Sequence, residues 1–273
     1  MAIITIYQGA SGSGEELAEA VAETLGYGCV SREVLIQASL RYGIPEARLN
    51  ELAEKELHWW NRFLQNLEPY RLALQAAFCE LAENDGIVYH GHLGHELLPD
   101  VKHVIKVLLT APIEMRVRQV QMREKLTAAA ARRHIEAMDK ARSRRLMALF
   151  GVDWRDPNRY DLVVNLGRMS MTAAKRLILE TVHLPDYQMT PSSKQAFLDF
   201  ALAARVRAAL VLWPDLSRAL LDVKASDGEI SVYGIIPSWF FEDNVVTRIK
   251  QVAGVKSVKA DLEHAPVDMS FGT

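Results

Sequence analysis

Cysteine is scarce: Cys29 and Cys79 are the only two in 273 residues. That excludes a disulfide-built scaffold and fits a reducing compartment. Net charge is nearly absent as well, since 32 basic and 34 acidic residues leave −2 at pH 7. Bulk charge therefore gives no support to nucleic-acid binding, and no nucleic-acid partner is expected. Long uncharged apolar runs are missing. The most apolar helical stretch, Phe197 to Trp213, carries Asp199, Arg205 and Arg207 and makes a poor membrane span, so membrane contact is not expected. The N-terminal segment also lacks the basic start and apolar core of an export signal, because glycines and serines interrupt it at once. These absences lead to the expectation of a cytoplasmic protein.

What is present is an ordinary globular composition, 49% hydrophobic and 24% charged, with length enough for one large domain and a small one. Apolar runs predict strands at Ile3–Tyr7, Tyr27–Val30, Ile87–His90, His103–Thr110 and Leu162–Asn165. Helical patterns fall between them, near Glu16–Leu25, Arg32–Arg41, Pro45–Leu67, Tyr70–Asn84, Ile113–Lys125 and Ala128–Phe150. Strands rich in Val, Ile and Leu that alternate with helices predict a three-layer α/β domain around a parallel sheet of about five strands. Ser31, Thr127 and Thr172 are the expected helix N-caps. This domain is assigned to residues 1–182. Residues 183–194, with Pro185 and Pro191, read as a linker. Residues 195–273 read as a small α+β module: a helix from Gln195, strands at Ala219–Ala225 and Glu229–Ile236, a helix from Ser238, and a strand at Val255–Leu262.

The stretch Gly9-Ala10-Ser11-Gly12-Ser13-Gly14 lies between the first strand and the first helix. Its order and spacing fit the start of G-x-x-x-x-G-K-[ST], the loop whose backbone amides cradle phosphates at a helix N-terminus. Gly9, Ser11, Gly12, Ser13 and Gly14 are the candidate phosphate-binding residues. Lys and Ser/Thr should follow, but Glu15 and Glu16 stand there. The loop's shape favours nucleotide phosphates and its charge opposes them.

Further motifs extend the pattern. They include Ser31-Arg32-Glu33, the strand Ile87-Val88-Tyr89-His90 running into Gly91-His92, and Leu109-Thr110-Ala111-Pro112 followed by Arg116-Val117-Arg118. Asp139-Lys140-Ala141-Arg142 and Tyr160-Asp161-Leu162-Val163-Val164-Asn165 complete the set. In this order the chain from Ile3 to Ile178 resembles the cytidylate-kinase-like proteins among the P-loop nucleoside monophosphate kinases. The resemblance implies a P-loop kinase-like fold and transfer of a phosphoryl group from ATP, with magnesium, to CMP or a related monophosphate. It also implies catalytic roles for Arg142, Arg132 and Asp139, and contacts to the acceptor from Arg32, His92 and Arg116.

Phosphoryl transfer depends on positioning and on neutralising phosphate charge, and three positions depart from the family in that respect. Glu15 replaces a cation, Ser31 an aspartate, and His92 an arginine whose forked guanidinium grips phosphate better than a neutral imidazole. Each lost contact of this kind costs about two to three powers of ten in rate. The lead expectation is a nucleotide-binding protein with an eroded catalytic site; the alternatives are an active kinase and an interaction protein that binds no nucleotide.

Plainer readings stand beside these. The arginines from Arg116 to Arg145 also fit a solvated helix face. His90, His92 and His95 lack the carboxylate or thiolate spacing of a metal site, and none is expected. Trp59-Trp60, beside His58, fits core packing or a subunit contact, which leaves room for an oligomer. Asp227-Gly228-Glu229-Ile230, Val232-Tyr233-Gly234 and Val252-Ala253-Gly254-Val255 make the tail resemble a BON domain. That resemblance implies a small ligand or protein partner and a regulatory role.

Overall fold

The computed structural model describes residues 2–9, 14–45, 67–83, 86–98, 101–216 and 219–265. The first lobe runs β1 (Ile3–Gln8), α1 (Gly14–Leu25), β2 (Gly28–Val30), α2 (Glu33–Tyr42), α3 (Glu68–Ala82), β3 (Ile87–His90) and the single turn α4 (Gly94–Leu97). It continues with β4 (Val104–Thr110), α5 (Ile113–Glu124), α6 (Ala128–Phe150), β5 (Leu162–Asn165) and α7 (Met171–Val182). Its five strands lie in the order β2-β3-β1-β4-β5. All four pairings are parallel, with Ile4 opposite Val88 on one side and Ile105 on the other. This is the expected P-loop-type α/β sheet, covered on both faces because every crossover carries a helix.

Alternation along β1 builds the two cores. Ile3 and Tyr7 point into a cluster with Phe78, Leu74 and Leu97, while Ile4 and Ile6 point into a second cluster with Leu17, Val21 and Ile178. The chain leaves β1 towards β2 and β3 on one side and reaches β4 on the other. A crevice therefore opens at the carboxyl ends of β1 and β3, the usual ligand position in an open parallel sheet.

The tail adds α8 (Pro191–Val211), β6 (Leu220–Ser226), β7 (Glu229–Ile236), α9 (Glu242–Lys250) and β8 (Ser257–His264). β6 pairs antiparallel with β7, and β7 parallel with β8 through the crossover helix α9. Gly234 sits at φ 138°, and a Cβ there would run into the Leu220 carbonyl. Only glycine permits this approach of β7 to β6.

Helix ends differ from the sequence expectation in three places. Thr127 does cap α6, accepting from the Ala130 N–H at 3.3 Å. The cap of α7, however, is Ser170 rather than Thr172, which lies inside the helix. α2 starts after Arg32 without a side-chain cap, and the Ser31 N–H instead donates to the Glu33 carboxylate at 2.6 Å. α8 begins at Pro191, inside the stretch read as a linker. Thr190 and Ser193 form a capping box there, and a proline in the first turn sacrifices no helical donor.

α8 buries two faces. Phe197, Ala201, Ala204 and Ala208 belong to the first lobe's core, against Ala73, Ala76 and Ala77 of α3. Leu202, Val206 and Leu210 belong to the core under the second sheet, with Val223, Ile230 and Val232. Apolar residues on both sides suit a helix sandwiched between layers rather than one lying on a surface. The helical stretch proposed at Pro45–Leu67, with His58 and Trp59-Trp60, falls almost wholly outside the described residues.

Candidate nucleotide site

β1 ends at Gln8 in the crevice, and a pocket of about 180 Å³ opens there. Gly9 and Gly14 bound it where the chain leaves β1 and enters α1; His90, Gly91 and His92 form the second wall, and Arg123 and Arg142 the third. Ser11, Gly12 and Ser13 lie outside the described residues.

The flanking glycines are required by what sits on them. A Cβ on Gly9 would lie 3.2 Å from Arg116 Nη2, and one on Gly14 would lie 2.6 Å from Gln8 Oε1. Gln8 therefore folds over the N-terminus of α1, while the Arg116 guanidinium lies along the start of the loop. Glu15 lines the pocket and is solvent-exposed, in the first turn of α1. There it meets the positive end of the helix dipole, which favours the carboxylate locally and competes with a phosphate for the same field.

Arg142 is the most consequential side chain of the site. It projects from α6, is only 9% exposed, and donates from Nη1 to the Gln8 carbonyl at 3.0 Å. Its Nε is buried without a hydrogen-bond partner. Burial lowers its pKa, opposed by the fields of Tyr7 and Asp139. Asp139 is already engaged, because both its oxygens accept from the two Nη atoms of Arg116 at 2.8 Å. That geometry is the forked, charge-assisted pair that arginine forms best. Arg145 is buried one turn further along α6.

His92 presents a buried Nδ1 without a hydrogen-bond partner. Burial, reinforced by Arg142 and Arg145, holds its pKa well below the ordinary value, so the ring is neutral at pH 7. His90 shares the pocket, but His95 turns away to stack on Tyr160 and meet Tyr7 edge-on. Burial brings His95 down to about 3. Among the described residues no group of three or more His, Cys, Asp or Glu could hold a metal ion.

The candidates thus separate by position. Gly9, Gly14, His92 and Arg142 meet around one pocket, with Arg116 and Asp139 against its edge. Arg132 is exposed on α6 and pairs with Glu114 at 3.3 Å, and Arg32 is exposed before α2; neither lines the pocket. Gln8 was not anticipated, although it occupies the carboxyl end of the central strand, where α/β sheets place ligand contacts. Arg123 lines the pocket and is exposed, bonded to Glu124 at 2.9 Å.

Comparison with known proteins agrees with this architecture. The chain is 26% identical over 185 residues to the cytidylate kinase of Sulfurisphaera tokodaii, covering 66% of this chain and 93% of that one. It is 38% identical over 80 residues to the cytidylate kinase of Methanopyrus kandleri, covering 29% of this chain and 41% of that one. A solved structure of an uncharacterized protein from Eubacterium ventriosum superposes with a TM-score of 0.52 at 19% identity, covering 66% of this chain and 97% of that one, a likeness of fold. Residues 3–168, more than half of the chain, match the cytidylate kinase-like family. By the breadth of that match, the chain belongs to the cytidylate kinase-like family.

Proposed function

We propose that the protein binds nucleotide phosphates in the Gly9–Gly14 pocket with a catalytic site eroded for phosphoryl transfer, and that its C-terminal module gives the binding a regulatory use. The observation that carries this reading is Glu15, a carboxylate on the rim of a phosphate-sized pocket at the place where a cation should neutralise the transferred group. Arg116 does not obviously replace that cation, because it is held bidentate by Asp139. Arg142 supplies a fixed, desolvated positive charge that suits holding a phosphate. Neutral His92 can hydrogen-bond a phosphate but adds no charge.

The second reading is an active CMP-type kinase, favoured by Arg123. That side chain is exposed and, among the described residues, bonded to its neighbour Glu124, so it could fold over a bound triphosphate. Magnesium would then arrive on ATP, since it is commonly held by one or two carboxylates together with phosphate oxygens. The module's order of helix, two strands, helix and strand supports the BON-like comparison. The family's activity supports a nucleotide as the partner of the first lobe.

Two measurements test the proposal. Turnover of CMP with ATP and magnesium at ordinary kinase rates of about 1–100 per second would refute erosion. Glu15→Lys should tighten nucleotide binding by roughly tenfold, because an exposed charge reversed near phosphate is worth about 1–2 kcal/mol in water. The gain should shrink as salt is raised. Unchanged or weaker affinity in calorimetry would show that Glu15 does not damage the loop.

A further inference from the structure

A second cavity, of about 510 Å³, lies far along the chain from the glycine loop, where α3, α8 and β6 meet. Its size falls in the range of small-molecule sites. Leu72 of α3, Leu210 of α8 and Leu216 supply apolar walls. Among the described residues one cation enters this lining: Arg207, on α8, whose Nε is buried without a hydrogen-bond partner. Its guanidinium carbon lies 6.0 Å from the centroid of the Phe200 ring, so an aromatic face flanks it. Burial lowers its pKa, and the field of Asp222 only partly opposes that. A half-buried guanidinium on a cavity wall offers an anion a desolvated, forked partner.

The rest of the lining narrows which anion. Glu68 and Asp222 also face the cavity, and Glu68 is bonded to Arg71 at 3.1 Å. Two carboxylates at the rim penalise a phosphate dianion far more than a single negative charge. A planar carboxylate also matches the guanidinium fork. The three leucines ask for an apolar body behind that head. We propose that the cavity between α3, α8 and β6 is a binding site for an aliphatic monocarboxylate, with its carboxylate on Arg207 and its chain against Leu72, Leu210 and Leu216. This site is separate from the nucleotide pocket and does not depend on whether the first lobe catalyses transfer.

The test uses the full chain and decanoate as probe, titrated by calorimetry with and without saturating CMP. Decanoate should bind at one saturable site, with affinity unaffected by CMP. Arg207→Gln should weaken it by at least about tenfold, the usual worth of a hydrogen bond to a charged group. Arg207→Lys, which keeps the charge and loses the fork, should fall between the two. Ala219→Phe, which fills the cavity from its lining while leaving Arg207 in place, should abolish binding; it guards against an Arg207 variant that merely unfolds. Decyl phosphate should bind more weakly than decanoate. The proposal is overturned by absence of saturable binding, by displacement with CMP, by tighter binding of the phosphate amphiphile, or by full affinity in either Arg207→Gln or Ala219→Phe.

Discussion

Replacing Arg142 with methionine should weaken nucleotide binding strongly while changing stability little. In the nucleotide-free protein the guanidinium is 9% exposed, and its donor Nη1 is satisfied by the Gln8 carbonyl at 3.0 Å. Removing that bond costs about 1.5–3 kcal/mol. Against this stands relief of the desolvation of a buried cation, an effective penalty of several kcal/mol. That penalty is little repaid here, because the carboxylate whose field reaches Arg142 is already bound bidentate to Arg116. Methionine keeps the length and the apolar contacts. Stability in urea should therefore fall by no more than about 1 kcal/mol, and a rise would agree with the same argument. Binding behaves otherwise, since a charge-assisted bond to phosphate worth about 1.5–3 kcal/mol disappears. Calorimetry with ATP and with CMP should show dissociation constants raised about 10- to 150-fold. A variant that loses more than about 3 kcal/mol of stability while nucleotide affinity is unchanged would show Arg142 to be a structural strut, and the site would lose its anchor.

Two further predictions concern stability. The folded-state pKa of His95 lies near 3, below its ordinary value of 6.5, so below about pH 6.5 the unfolded chain takes up a proton that the folded chain refuses. Its contribution is complete above pH 6.5 and is lost as pH falls towards 3. His95→Gln should flatten the decline in urea stability between pH 6.5 and 4 by up to about 1.4 kcal/mol per pH unit; an unchanged slope would refute neutral burial of the ring. Gly234→Ala adds a Cβ against the Leu220 carbonyl at a φ that L residues rarely adopt. It should destabilise the second sheet by about 2–4 kcal/mol, read by denaturant midpoint, and a loss under about 0.5 kcal/mol would mean that β6 and β7 can part freely.

Some of this was legible in the chain. β3, β5 and α6 were anticipated to the residue, because uninterrupted Val, Ile and Leu between breakers, or a Thr cap and a closing Gly151, leave little choice of boundary. The boundaries at α7 and α8 differ where two candidate caps competed, and that of α2 because Ser31 makes no side-chain cap. Ser170 prevailed over Thr172 by accepting from the Ala173 N–H, and Thr190 with Pro191 over a start at Gln195. For the site, glycine spacing revealed the frame, and Asp-x-x-Arg revealed Arg142. The Arg116–Asp139 fork joins residues 23 apart in sequence on two successive helices, and no local signal announces which arginine a carboxylate will choose. Gln8 falls one residue past the strand read at Ile3–Tyr7, and only the sheet order puts it at the crevice. The cavity beside Arg207 arises from three separate elements and has no motif at all.

The two-sided burial of α8 bears on how the chain can be taken apart. A cut anywhere before Pro191 would strip Phe197, Ala201 and Ala204 from the first sheet's cover and leave α3 wet along its alanine face. A cut after Val211 would instead leave Leu202, Val206 and Leu210 bare. Neither fragment would inherit a finished interior, and the family-matching portion, residues 3–168, stops short of the helix that covers α3. The helix works as a shared keel: the same rod closes both hulls, and loosening one opens the seam of the other.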